Sequence, residues 1–227
     1  MADLSAVRVQ ARFALERAVP LASAEGSVPG RPGLYAIYSD ANTWNELTLG
    51  DPPDARPLYI GKAEDSLAIR VLKTHFGDGR TGQSTVRRSF AALLHDTLGL
   101  RGIPRNPDKP AYFSNYGLSA SDDATLTSWM REHLRHAVWP KPSNCEFTLD
   151  QVETALLVEL APPLNIKDVV TPWRAKLEAA RAVMAGEARQ WTLSSEPKCN
   201  TPADLIIGMV DQDLRECCHA MLFAFVG

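Results

Sequence analysis

Pro32-Gly33-Leu34-Tyr35-Ala36-Ile37-Tyr38 and, twenty residues on, Leu58-Tyr59-Ile60-Gly61-Lys62 decide the fold of this chain. Each stretch combines aromatic and branched apolar residues with an adjoining glycine, which reads as a short β-strand. The first strand is expected over residues 34–38, introduced by the Gly- and Pro-rich turn at 25–32, and the second over 57–60. Between them, residues 40–56 carry Asn, Asp, Gly and the Pro52-Pro53 pair. That composition predicts a loop or insertion, across which the two strands pair antiparallel.

Helical patterns surround this pair. Residues 3–17 carry a broken apolar stripe (Leu4, Val7, Ala11, Ala14, Leu15) that ends at Pro20. Leu67, Ile69, Val71 and Leu72 mark a helix starting near Asp65 or Ser66, both suitable N-caps. After the glycine-rich turn at 77–82, residues 84–98 predict another helix, with Val86, Phe90, Leu93 and Leu94 on one face and Arg87 and Arg88 beside it. Residues 112–118 alternate like a strand. Ser121 or Asp122 caps an amphipathic helix bearing Leu126, Trp129, Met130 and Leu134, within a helical segment reaching Trp139. Residues 145–148 allow a short strand. Thr148 with Gln151 forms a capping-box pattern that opens a helix to about Leu160, where Pro162 and Pro163 stop it. Thr171-Pro172 starts a helix over 172–190. A linker follows at 194–202, and Thr201-Pro202 starts a final apolar helix over 203–225.

Composition narrows the class. With 227 residues, 45% apolar and 22% charged, the chain suits one decorated domain or two small ones. No apolar run is long enough to span a bilayer, and residues 1–4 lack the pattern of a signal peptide. Cys145, Cys199, Cys217 and Cys218 show no metal-ligand spacing, and the adjacent pair Cys217 and Cys218 reads as free thiols, so a reducing, cytoplasmic location is expected. The net charge of −3 argues against a protein that coats nucleic acid. The charge is unevenly spread, however. Residues 56–109 hold ten Lys or Arg against five Asp or Glu, an excess of +5 that leaves −8 for the remainder. Such asymmetry suits a polyanion site on one part of the surface, and equally an ordinary solvated face.

The order of residue types is more specific. Gly33 and Tyr35, then Tyr59, Ile60, Gly61 and Lys62, then Leu67 with Arg70 eleven residues past Tyr59, then Glu153 and Asn165 twelve apart, together resemble the GIY-YIG nuclease superfamily. Singly, each tyrosine could be a strand aromatic, Glu153 a solvated helix residue and Asn165 a turn residue. The resemblance implies an α+β fold: a small antiparallel sheet of three or four strands flanked by helices, over residues 28–168. Helical extensions would occupy residues 1–27 and 169–227.

It also implies metal-dependent endonuclease cleavage of DNA, as a standalone restriction- or repair-type enzyme. The alternative is a silent module of the same fold that binds DNA or a protein partner. The implied catalytic set is Tyr35, Tyr59, Lys62, Arg70, His75, Glu153 and Asn165. Arg70 would hold the scissile phosphate, Glu153 would bind a single Mg²⁺ or similar divalent cation, and Asn165 would support the site by hydrogen bonding. One tyrosine would take a proton from the attacking water, Tyr35 being preferred and Tyr59 remaining open. A free phenol titrates near pH 10, so activity near neutrality needs roughly 4 kcal/mol of stabilisation of its anion. Lys62, Arg70 and the metal are the expected sources. His75 lies five residues after Arg70 where the family often has four, an offset that turns the ring away on a regular α-helix. Lys73, Arg80, Arg87 and Arg88 are candidate phosphate contacts along the DNA. The C-terminal apolar helix is expected to pack on the domain or on a second subunit.

Overall fold

Gly33–Tyr38 (β2) is extended because five of its six residues are buried and its alternate side chains enter two different cores. The computed structural model describes residues 3–24, 26–106, 109–167 and 169–195. Its sheet has four strands in the order β1-β4-β2-β3: Val19–Pro20 (β1), β2, Tyr59–Ala63 (β3) and Arg135–Pro140 (β4). All three pairings are antiparallel. In the β2–β3 register Tyr35 faces Gly61 and Leu34 faces Lys62.

Leu34 and Ala36 of β2, Ile60 of β3 and Trp139 of β4 pack against Leu4–Leu15 (α1) and Leu149–Leu160 (α6). The opposite face carries Tyr35 and Ile37. Its core takes in the π-helix Ile69–His75, Thr85–Leu93 (α3), Ala120–His133 (α5) and Arg174–Ser195 (α7). The fold is therefore α+β, with a four-stranded antiparallel sheet flanked by helices, as expected. The described residues up to Thr192 belong to one compact unit, with α1 and β1 built into it.

Several elements differ from the sequence expectation. The supposed loop at 40–56 contains Ala41–Glu46 (α2), because the Asp40 side chain accepts the Thr43 amide at 2.8 Å and caps it. The helix expected over 84–98 breaks at Leu94 into α3 and His95–Leu98 (α4), with Gly99 in the left-handed conformation ending it. Residues 110–115 form a 3₁₀ helix in place of a strand, and only an isolated Ile103–Gly117 bridge remains there. Residues 145–148 are not a strand; Thr148 instead caps α6, with the capping box in place. The fourth strand is β4, inside the segment expected to be helical, since α5 ends at His133. The expected linker begins inside α7, and the expected final helix at 203–225 lies outside the described residues. Among the described residues no helix is long and apolar enough to cross a membrane.

Candidate active site

The edge position of β3 makes the site. Tyr59 and Gly61 look toward the face that holds Tyr35, whereas Ile60 and Lys62 look toward α6. Because β3 has no strand beyond it, groups from both layers meet around its rim. Asn165 occupies the vacant edge. Its Oδ1 accepts the Ile60 amide at 2.9 Å and its Nδ2 donates to the Ile60 carbonyl at 2.7 Å, as a neighbouring strand would. The Leu164 amide adds a bond to the Leu58 carbonyl at 3.0 Å. Asn165 thereby fixes the backbone on which Tyr59 stands.

Gly61 has a steric reason. A Cβ there would lie 2.4 Å from Tyr35 Oη and 2.7 Å from Tyr59 Cε1. The bare backbone lets the Tyr35 phenol cross its strand partner, with the two tyrosine rings 6.0 Å apart. Gly33 serves the other neighbour of β2, since a Cβ there would meet the Trp139 carbonyl of β4 at 2.3 Å.

His75 corrects the expectation of a ring turned away. Residues 69–75 form a π-helix, whose hydrogen bonds span five residues; the adjoining Phe76 amide bonds the Val71 carbonyl at 3.1 Å. In this geometry the offset of five aligns His75 with Arg70. His75 is 1% exposed, its Nε2 lies 2.6 Å from Tyr35 Oη, and its Nδ1 lies 2.7 Å from Ser84 Oγ. Burial, then the charges of Arg70 and Arg87, lower its pKa to about 3, so the ring is neutral near pH 7.

The phenols are not depressed as expected. Burial, reinforced by Tyr59, pushes Tyr35 well above its ordinary value against the pull of Arg70. Tyr59 is also raised, by burial and then by the charge of Glu153, while hydrogen bonding with Tyr35 and the charges of Arg70 and Arg181 pull it down. Lys62 gives little help because carboxylates hold it. Its Nζ lies 2.5 Å from Asp150, 3.3 Å from Glu64 and 3.8 Å from Glu153, and the Asp150 hydrogen bond raises its pKa. Glu153 comes from α6 on the far face of the sheet, yet its field reaches Tyr59 past the edge strand. Its side chain is 14% exposed. Arg70 is exposed and lines, with Lys62, Ser66 and Thr74, an open cleft of about 450 Å³. A larger hollow of about 530 Å³ lies around Tyr38, Arg56 and Arg135 and contains none of these groups.

With this geometry in view, the relation to known proteins has a clear outcome. The family model for the GIY-YIG catalytic domain matches residues 35–183. The chain belongs to the GIY-YIG family. No curated protein and no solved structure matches it significantly. GIY-YIG membership makes the fold nuclease-type and the family activity an endonuclease hydrolysis, generally dependent on a divalent metal. Among the described residues no three His, Cys, Asp or Glu side chains cluster as a ready metal cage. Glu153, a part-buried carboxylate at the rim of β3 and 3.8 Å from Lys62, is a donor that fits a hard cation keeping most of its ligands as water.

The GIY-YIG match reaches α7 and so includes Arg181, which sequence reasoning passed over. Arg181 donates to the Thr85 carbonyl at 3.2 Å and to Ser89 Oγ, and it stands near enough to Tyr59 to favour its anion. Nothing in its sequence context marks it, since it lies on a helix 122 positions past Tyr59. Asp123 was missed as well, and Ser84 was read only as the start of the helix at 84–98.

Of the four expected phosphate contacts, Arg87 is excluded. Its guanidinium is 0% exposed and bonds Asp123 Oδ2 at 2.9 Å, Thr127 Oγ1 at 2.9 Å, Thr81 Oγ1 at 3.1 Å and the His75 carbonyl at 3.1 Å. Its charge ties α5 to the end of the π-helix and is not available to a phosphate. Arg88 is half-buried and holds the Gly82 carbonyl at 2.9 Å, while Lys73 and Arg80 are exposed.

Proposed function

We propose that this protein is a divalent-metal-dependent endonuclease that hydrolyses DNA phosphodiester bonds, of the standalone restriction or repair type. The observation that carries the reading is the meeting of Tyr35, Tyr59, Arg70, His75 and Glu153 around the edge of β3. Arg70, exposed in the cleft, would grip the scissile phosphate and offset its growing charge. The base is better assigned to Tyr59 than to Tyr35. Tyr59 is half-buried and receives help from Tyr35, Arg70 and Arg181, whereas Tyr35 is 1% exposed and held further from ionisation. In its anionic form Tyr59 would accept a proton from water as the water oxygen bonds to phosphorus and the bond to the leaving oxygen breaks. A cation at Glu153 would supply the remaining stabilisation of phenolate and leaving oxygen. Lys73, Arg80 and Arg88, with Arg181, would hold phosphates along the strand.

Plasmid nicking with and without Mg²⁺ tests the proposal. Glu153→Ala and Arg70→Ala should each lower cleavage by about 10³-fold or more with the thermal transition retained. Metal-dependent nicking by pure Glu153→Ala protein would refute the assignment. The raised phenols favour a second reading, a silent module that binds DNA or a protein partner. Binding of DNA with no cleavage under any divalent cation would select it.

A further inference from the structure

Both ring nitrogens of His75 are engaged, Nδ1 at 2.7 Å from Ser84 Oγ and Nε2 at 2.6 Å from Tyr35 Oη. A neutral imidazole has one N–H, so one contact donates from the ring and the other donates to it. Ser84 settles which. It is 0% exposed, and its Oγ already accepts the Arg87 amide at 3.1 Å as the N-cap of α3. Apart from that amide and the imidazole, Ser84 Oγ has no hydrogen-bond partner among the described residues. Were Nδ1 the donor, the serine proton would sit in the core without an acceptor, which costs about 1–3 kcal/mol. With the serine donating to Nδ1, each of these groups is satisfied and the ring proton belongs to Nε2.

We propose that Ser84 fixes His75 as the Nε2–H tautomer, so that the imidazole donates a hydrogen bond to Tyr35 Oη and does not take its proton. The donors then run in one direction, Ser84 to His75 to Tyr35, and the Tyr35 hydrogen is free to turn to Tyr59. His75 thus works as a fixed dipole behind the tyrosine pair, and Ser84 is a positioning residue. The groups facing the ring agree with a neutral, oriented imidazole. Arg70 on its own helix and Arg87 from α3 oppose a second proton, Tyr35 and Tyr59 from the sheet are neutral phenols in the resting site, and Asp123 from α5 is paired with Arg87.

The use of this chain in catalysis rests on the nuclease reading, but the tautomer can be read without nucleic acid. In the full-length protein labelled with ¹⁵N-histidine, long-range ¹H–¹⁵N correlations should show His75 protonated at Nε2 and bare at Nδ1 from pH 8 to pH 5. A ring protonated at Nδ1 overturns the proposal. Ser84→Ala should admit the Nδ1–H form, and Ser84→Thr, which keeps hydroxyl and cap, should restore the wild-type spectrum. A wild-type tautomer in folded Ser84→Ala also overturns it. Should Ser84→Ala fail to fold, the wild-type and Ser84→Thr spectra decide. In a cleavage assay Ser84→Ala should lower kcat by roughly tenfold or more with KM nearly unchanged, and Ser84→Thr should recover it. Wild-type protein that cuts no DNA refutes the nuclease reading and leaves the tautomer to be judged by its spectrum.

Discussion

Gly61 shows how one absent side chain organises the centre. Any Cβ there must push the Tyr35 phenol off its strand partner, and Tyr35 cannot retreat because His75 and the core hold it. Gly61→Ala should therefore stay folded with a loss of about 1–3 kcal/mol, the cost of overpacking, while cleavage falls much further than stability. Denaturant unfolding beside a nicking assay checks this, and equal losses in both would contradict it. His75 gives a second test at this scale. Its folded pKa of about 3 lies below the unfolded value of 6.5, so the unfolded chain binds the proton first. Stability from this residue is complete above pH 6.5 and is lost as pH falls toward 3. Between pH 6.5 and 4.5 the loss should be about 2.5 kcal/mol. His136, also lowered by burial, adds to the same trend. His75→Gln cannot take the proton, so its unfolding curves should show a shallower pH slope than wild type; an unchanged slope would contradict a buried neutral ring.

Elements were legible where the signal was local. The strands around Tyr35 and Tyr59 and the capping box at Thr148 are written in adjacent residues, and the structure has them. β4 was hidden because Arg135-His136-Ala137-Val138-Trp139-Pro140 follows α5 directly and its mixed residues carry no clear period of two. Only pairing with β1 and β2 on both sides makes it a strand. The helix after Arg70 was legible as a helix but not as a π-helix, because nothing in residues 69–75 alone favours the wider turn. The reward is tertiary: it seats His75 against Tyr35 while Val71 stays buried. If the π-helix is an α-helix holding one extra residue, removing exposed Lys73 should leave an α-helical segment with the histidine four residues after Arg70. The deletion should keep the Tyr35–His75 bond, visible as a retained histidine resonance, and lower cleavage only as far as the lost Lys73 phosphate contact does. Loss of both would show that the wide turn is required for its own sake.

At the scale of the whole molecule, charge is sorted into inner and outer roles, and counting residues cannot tell them apart. The segment 56–109 is basic in sequence, but Arg87 spends its charge on Asp123, Lys62 is held by Asp150, and Arg56 pairs with Asp54 at 2.8 Å. What faces outward is a smaller set, Arg70, Lys73, Arg80, Arg101, Arg105 and Lys109, of which Arg101 lies 3.5 Å from Glu187, with Arg88 and Arg181 half-buried. A protein of net charge −3 whose DNA grip depends on about five such contacts should bind with a log–log salt slope of about −4 to −5. Arg80→Ala and Lys73→Ala, measured in an inactive Glu153→Ala background, should each reduce that slope by about 1 and leave thermal stability unchanged. Arg87→Ala should do the reverse. It strands Asp123 in the core, costs about 3–5 kcal/mol and leaves the slope of any folded fraction as it was. If Arg87→Ala instead flattened the salt dependence while Arg80→Ala and Lys73→Ala did not, the nucleic acid would have to lie over α5, and the strand path along the cleft beside β3 would be wrong.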